Sequence, residues 1–203
     1  MSKIQLSPNT TLYPVPVVFI TCGAGKQTNV FSLNRIASCN AEPPMISISV
    51  RPRRASHVLI TTSGEFVVNI PLPNMEVVSD FVGTTTMYKT DKWLETGLTR
   101  MPASQVTPPL LAECPVNLEC RVVQQLQLPS HTLFVGQVVA IHADKSVLTA
   151  QGVVDFALVN GGLVYRSSIV RERPVANFQP TELLQQVHLW RKSKDTPTSI
   201  EAS

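Results

Sequence analysis

Val116-Asn117-Leu118-Glu119-Cys120-Arg121-Val122 places an apolar side chain at every even position and a polar one at every odd position. A period of two is the pattern of an antiparallel strand with one face on a core and the other toward water. Downstream, after the turn Pro129-Ser130-His131, residues Thr132 to Ile141 read as a further strand. Upstream, Met45 to Val50 alternates in the same way after Pro43-Pro44, and Phe66 to Ile70 is a strand closed by Pro71 and Pro73. The apolar run Val15 to Thr21 ends in Gly23-Ala24-Gly25-Lys26, which reads as a hairpin turn. A further strand is expected at Ala157 to Val159, with Gly161-Gly162 turning the chain into Leu163-Val164-Tyr165.

Helical spacing is scarcer. Ala55 to Thr62 is long enough for two turns, and Met75, Val78, Phe81 and Val82 recur at helical intervals. Pro180-Thr181-Glu182 opens a helix with Leu183, Leu184, Val187 and Trp190 on one side. The 16 prolines break the chain into short pieces, which excludes long bundles and coiled coils. Six or more short strands with few helices predict an all-β dominated fold, an antiparallel barrel. The 203 residues suffice for one domain, expected over 1–179, with the helix 180–191 packed on it and a polar tail 192–203. From Gly83 to Pro109 the pattern dissolves into a polar excursion that should cover a functional surface or fold against a partner.

Composition excludes several functions. A net charge of +3 is far from the basic footprint of nucleic-acid binders. No window approaches the roughly 18 apolar residues of a membrane span, and the first residues lack a secretory pattern, so a cytoplasmic location is expected. Cysteines stand at 22, 39, 114 and 120 and histidines at 57, 131, 142 and 188, without the close pairs a metal needs. Ile20 and Gln27 stand where a Walker loop requires glycine and a hydroxyl residue. No strand–Gly-x-Gly-x-x-Gly–helix unit occurs, and neither does a Gly-x-Ser-x-Gly elbow or a His-Glu-x-x-His pair. The chain is not written as an unaided hydrolase.

Two stretches carry usable chemistry. Asn29-Val30-Phe31-Ser32-Leu33-Asn34 sets amides and a hydroxyl among aliphatic groups. Ser49-Val50-Arg51-Pro52-Arg53-Arg54-Ala55-Ser56 gathers three arginines and two serines at a strand end and a helix start. Guanidinium forks, hydroxyls and unpaired backbone amides suit a phosphomonoester. The same stretch also reads as a solvated charge cluster on a loop.

The ordered set of Pro16 to Thr21, Asn29, Glu42 to Val50 and Ser63 to Ile70 resembles the flavin reductase-like family, which includes flavoredoxin. Leu118-Glu119-Cys120, His131, Gly136-Gln137-Val138, and Gly161-Gly162 with Tyr165 follow in the family's order. Where the family often has Gly-Asp before the histidine this chain has Pro129-Ser130, and Ser56 stands for its threonine.

The resemblance implies an FMN-binding split barrel acting as a homodimer. It assigns the flavin ring to Asn29, Phe31, Ser32, Leu33 and Asn34, and the phosphate to Ser49, Val50, Arg51, Arg54 and Ser56. Thr21, Lys92 and Tyr165 join them as cofactor contacts, and His131 stands beside the reactive edge as the catalytic residue. The implied activity is an NAD(P)H-dependent flavin reductase, with hydride delivered to N5 of FMN and reduced flavin passed to a monooxygenase or another acceptor. NAD(P)H is then a transient co-substrate, held without a Rossmann unit. The competing readings are a non-enzymatic FMN electron carrier and a barrel that binds some other phosphorylated ligand.

Overall fold

The computed structural model describes residues 3–10, 12, 15–160 and 180–195. Seven strands form one antiparallel sheet: β1 (Val18–Cys22), β2 (Asn29–Leu33), β3 (Ile36–Asn40), β4 (Met45–Val50), β5 (Glu65–Ile70), β8 (Val116–Gln127) and β9 (Thr132–Ala143). Their order across the sheet is β2-β1-β5-β8-β9-β4-β3. The two outermost strands, β2 and β3, are consecutive in the chain and joined only by Asn34 and Arg35. A two-residue link spans only about 10 Å, so the sheet must curl until its edges meet. Register shifts in β8–β9 and in β3–β4 supply bulges that sharpen the twist. The result is a split antiparallel barrel.

Alternation fills it. Phe66, Val68, Cys120 and Phe134 point inward with Ile20, Ile48 and Ile60, the last from α1 (Ala55–Ser63), which plugs one end. Gly136 has to be glycine because an added Cβ would lie 2.6 Å from the Phe66 ring. A second core lies outside the barrel, where α2 (Glu76–Thr84) sets Val78, Phe81 and Val82 against Phe19 and Val30. Leu183 and Val187 of α5 (Pro180–Asp195) complete it. The helix runs four residues past the expected Arg191, into what reads as tail.

Sequence and structure part at two further places. Ala157 to Val159 is not a strand but lies in the short helix α4 (Phe156–Asn160). Asp155 Oδ1 accepts from the Ala157 N–H at 2.9 Å, a cap that turns the chain helical and buries Val159 on Val116 and Val147. The odd face of β8 is the second: Asn117 and Glu119 are buried, not solvated. The excursion covers them. It folds as α3 (Lys92–Thr96) and the two-residue strands β6 (Arg100–Met101) and β7 (Leu110–Leu111), and it lies across the outer face of β5 and β8. The expected turn at Gly161-Gly162 and the segment to Tyr165 fall outside the described residues.

Polar groups hold that cover down. Glu119 is fully buried and accepts from the backbone N–H groups of Ser104 (2.7 Å), Gln105 (2.6 Å) and Val106 (3.0 Å). The Ser104 hydroxyl (2.9 Å) and His142 Nε2 (2.6 Å) complete its shell. Asn69 Oδ1 accepts from the Leu111 N–H and from Asn117 Nδ2, while its Nδ2 donates to Thr21 Oγ1. Thr21 Oγ1 in turn donates to the Pro109 carbonyl. Burial would raise the Glu119 pKa, but the Ser104 and Gln105 N–H groups, with the Ser104 hydroxyl and His142, outweigh it and hold the carboxyl down to about 2.

Glu119→Gln should therefore cost roughly 2 to 3 kcal/mol at neutral pH, because an amide N–H would face backbone donors. The depressed pKa puts the stabilisation in full above the ordinary value of 4.5 and removes it as pH falls through about 2. Urea unfolding of both proteins across this range should show the gap narrowing as acid is added.

Candidate functional site

The split between the barrel edges opens into a cleft that unites segments far apart in sequence. One wall is β2 and the bend after it, which contribute Asn29, Phe31, Ser32, Leu33 and Asn34. The floor is the end of β4 and the start of α1, with Ser49, Val50, Arg51, Arg54 and Ser56. Lys92 closes the third side and His131 the fourth. Register explains the last placement: Val50 pairs with Thr132, so the residues just beyond that pair, Arg51 and His131, stand at the same end of the sheet.

Thr21 is not at the cleft. Its hydroxyl belongs to the buried network under the excursion, on the opposite face of β1 from the barrel interior. Tyr165 lies outside the described residues. Sequence reading passed over Arg35 in the β2–β3 bend, and over Val82, Gly83, Thr85, Thr86 and Met87 at the end of α2. Gly83 was the available signal, a glycine closing a helical run. A Cβ there would sit 2.2 Å from Ser32 Oγ, so glycine lets α2 lie on β2, where Ser32 Oγ donates to the Ser79 carbonyl at 2.7 Å.

Lys92 is a buried cation, with 3% of its surface exposed. It opens α3, whose N-cap Asp91 accepts from the Trp93 and Leu94 N–H groups. The Lys92 ammonium donates to the carbonyls of Val30 (2.9 Å) and Val82 (2.8 Å), tying β2 to α2. Burial first, and the nearby Arg54 charge second, lower its pKa from 10.5 to about 8, against a smaller opposite pull from Cys22. Three tethers from α5 hold α3 in place: His188 on Glu95, Arg191 on the Leu94 carbonyl and Lys194 on the Gly97 carbonyl.

Asn29 carries an incomplete hydrogen-bond set. Its Nδ2 donates to Ser56 Oγ at 2.8 Å, while the buried Oδ1 has no protein partner. A buried acceptor left open asks for a donor from a ligand. Arg51 and Arg54 flank the first turn of α1, where unpaired backbone N–H groups add positive potential. Among the described residues no Asp or Glu lines the cleft, and no carboxylate pairs with Arg35, Arg51 or Arg54. His131 Nδ1 lies 2.8 Å from Ser130 Oγ. Burial, then the Arg35 and Arg51 charges, lower its pKa, so the imidazole is neutral at physiological pH. The arrangement suits an anion with an apolar body and at least one hydrogen-bond donor.

Residues 10–168 match the flavin reductase like domain. A solved flavoredoxin of Desulfovibrio vulgaris (Miyazaki F) superposes with a TM-score of 0.73 at 27% identity, covering 78% of this chain and 85% of that one. An uncharacterized protein of Archaeoglobus fulgidus is 34% identical over 66% of this chain and 75% of its own. The reductase component of an FADH2-dependent resorcinol hydroxylase from Rhizobium sp. is 26% identical, over 68% of this chain and 74% of its own. No helix among the described residues is long and apolar enough to cross a membrane.

Proposed function

The chain belongs to the flavin reductase-like family, and from that premise we propose that it holds FMN in the cleft and reduces it with NAD(P)H. The observation that carries this reading is the cleft's charge: Arg51, Arg54 and Lys92 converge with no carboxylate among the described lining residues. FMN fits on both counts, since its phosphate needs cations and its imide N–H needs an acceptor such as Asn29 Oδ1. When bound, the flavin supplies the redox chemistry, accepting hydride at N5.

The chain's own residues do the rest. Arg51, Arg54, Ser56 and the first turn of α1 bind the phosphate. Phe31 and Leu33 give the ring an apolar wall, with Ser32, Asn34, Ser49 and Val50 completing the cradle. Lys92 spends two N–H groups on the protein and has a third for the ligand. Neutral His131 orients the nicotinamide by hydrogen bonding, without adding charge to an already cationic mouth. Reduced flavin then passes to an acceptor, a monooxygenase being favoured by the reductase component from Rhizobium sp. among the relatives.

A homodimer is part of the proposal, on altered grounds. The apolar side of α5 packs on α2 within the chain, as expected of a helix packed on the domain, and the excursion folds back over β5 and β8. Among the described residues an apolar strip is exposed along the distal half of β8 and just past its end, where Val123, Leu126 and Leu128 are 45%, 57% and 43% exposed beside the cleft's His131 turn.

Titration with FMN should quench flavin fluorescence to saturation, with riboflavin binding at least about tenfold more weakly because the phosphate grip is lost. Steady-state NAD(P)H oxidation with added FMN should proceed, and sedimentation should return the mass of two chains. Tight binding without turnover would leave an electron carrier in place of a reductase.

Lys92 gives a pH signature. It is cationic below about 8, so flavin affinity should weaken as pH rises above that value. Lys92→Met should lower affinity about tenfold at pH 7 and flatten the dependence. Fluorescence titrations from pH 6 to 10 measure both.

His131→Ala should slow reduction of the bound flavin by roughly tenfold, about 1.4 kcal/mol in transition-state stabilisation. FMN affinity should move much less, because the phosphate grip lies at α1. Stopped-flow reduction of the loaded protein separates the two, and an unchanged rate would reduce His131 to a turn residue.

A further inference from the structure

Arg35 is the lining cation that the flavin does not account for. An FMN phosphate carries about −1.5 to −2 at pH 7, which Arg51 and Arg54 match. Lys92 is buried on the far side of the cleft, fastened to Val30 and Val82. Arg35 belongs to neither group. It projects from the two-residue bend that closes the barrel, and its backbone is fixed there by the Ser49 N–H donating to the Arg35 carbonyl at 3.0 Å. Its side chain is exposed and has no ion-pair or hydrogen-bond partner among the described residues. Its charge reaches His131, the residue placed at the reactive edge.

The hydride donor has a matching need. Described residues offer no strand–Gly-x-Gly-x-x-Gly–helix unit to hold a dinucleotide's phosphates on a helix N-terminus. Recognition of the adenylate half must then come from side chains at the mouth. An arginine fork there discriminates most strongly between a phosphomonoester and a hydroxyl, since it gains two charge-assisted hydrogen bonds to one and little from the other.

Resting on the flavin-reductase reading, we propose that Arg35 binds the 2′-phosphate of the nicotinamide nucleotide and makes the protein selective for NADPH over NADH. No part of this assignment involves the flavin's own phosphate.

The test is steady-state kinetics of FMN-loaded wild type, Arg35→Gln and Arg35→Lys with each nucleotide, beside FMN titrations of all three. Wild type should show a KM for NADPH at least about tenfold below that for NADH, rising with ionic strength. Arg35→Gln should erase the difference by raising the NADPH value alone, with kcat and FMN affinity within about twofold, and Arg35→Lys should recover part of it. Equal KM values in wild type would overturn the proposal, as would a parallel rise for both nucleotides in Arg35→Gln. A matching loss of FMN affinity would also overturn it, placing Arg35 in the flavin phosphate site. An FMN-loaded protein that oxidises neither nucleotide would instead sink the reductase reading, and the role of Arg35 with it. Calorimetric titration of the loaded protein with 2′,5′-ADP and with 5′-ADP reads the same selectivity without turnover, and equal affinities would overturn it.

Discussion

The link of Asn34 and Arg35 between β2 and β3 is the constraint from which the rest of the molecule follows. The two strands occupy opposite edges of a seven-stranded sheet, yet the chain allows them only a two-residue separation. Curling is therefore obligatory, and the barrel interior must be filled to the density of a core. Phe66, Phe134 and Ile48 fill it, with Gly136 making room for the Phe66 ring. The edges meet without pairing, so the barrel is split at that seam, and the seam is where polar backbone and cations can face a ligand. The functional cleft is a consequence of how the sheet closes.

A seam alone does not make a site, because it is open on the side of β2. The cover comes from the insertion between β5 and β8, and its attachment is polar. Glu119 and Asn69 sit on strands of the sheet but spend their hydrogen bonds on the insertion's backbone, at Ser104, Gln105, Val106 and Leu111. An apolar cover would tolerate sliding, whereas a buried carboxylate that loses one of its N–H donors is left strongly unfavourable. The insertion therefore has one register. That register delivers α3 to the end of α2, and with it the Lys92 ammonium to the cleft, where α5 locks it from behind.

Much of this was legible in the sequence, and what was not has a physical reason. The period of two located β4 and β8, while the prolines after β5 and the turn before β9 marked those strands. The residues Ala157 to Val159 misled because a three-residue apolar run has no period to read, and the Asp155 cap decided it. Burial of Glu119 was invisible since its backbone N–H partners at Ser104, Gln105 and Val106 are distant in the chain and have no sequence signature. The stretch from Ser49 to Ser56, proposed to hold a phosphate, was readable as a cluster because it is contiguous. Arg35 was passed over because only sheet closure brings it to the cleft, and Lys92 was named through family resemblance, not through any pattern of its own.

The ligand-free cleft is electrostatically unfavourable, and that cost is informative. Burial first, and the Arg54 charge second, lower the Lys92 pKa from 10.5 to about 8, roughly 3 kcal/mol against the cation relative to a free lysine. Burial, and after it the Arg35 and Arg51 charges, likewise press His131 toward its neutral form. A fold shaped by stability alone would place a carboxylate among these cations, and none of the described lining residues is one. An internal carboxylate would neutralise the cleft permanently and compete with any anionic ligand. Leaving the charges open makes the ligand itself the missing counter-ion, so binding offsets strain that the protein already carries and the complex is more stable than the empty barrel.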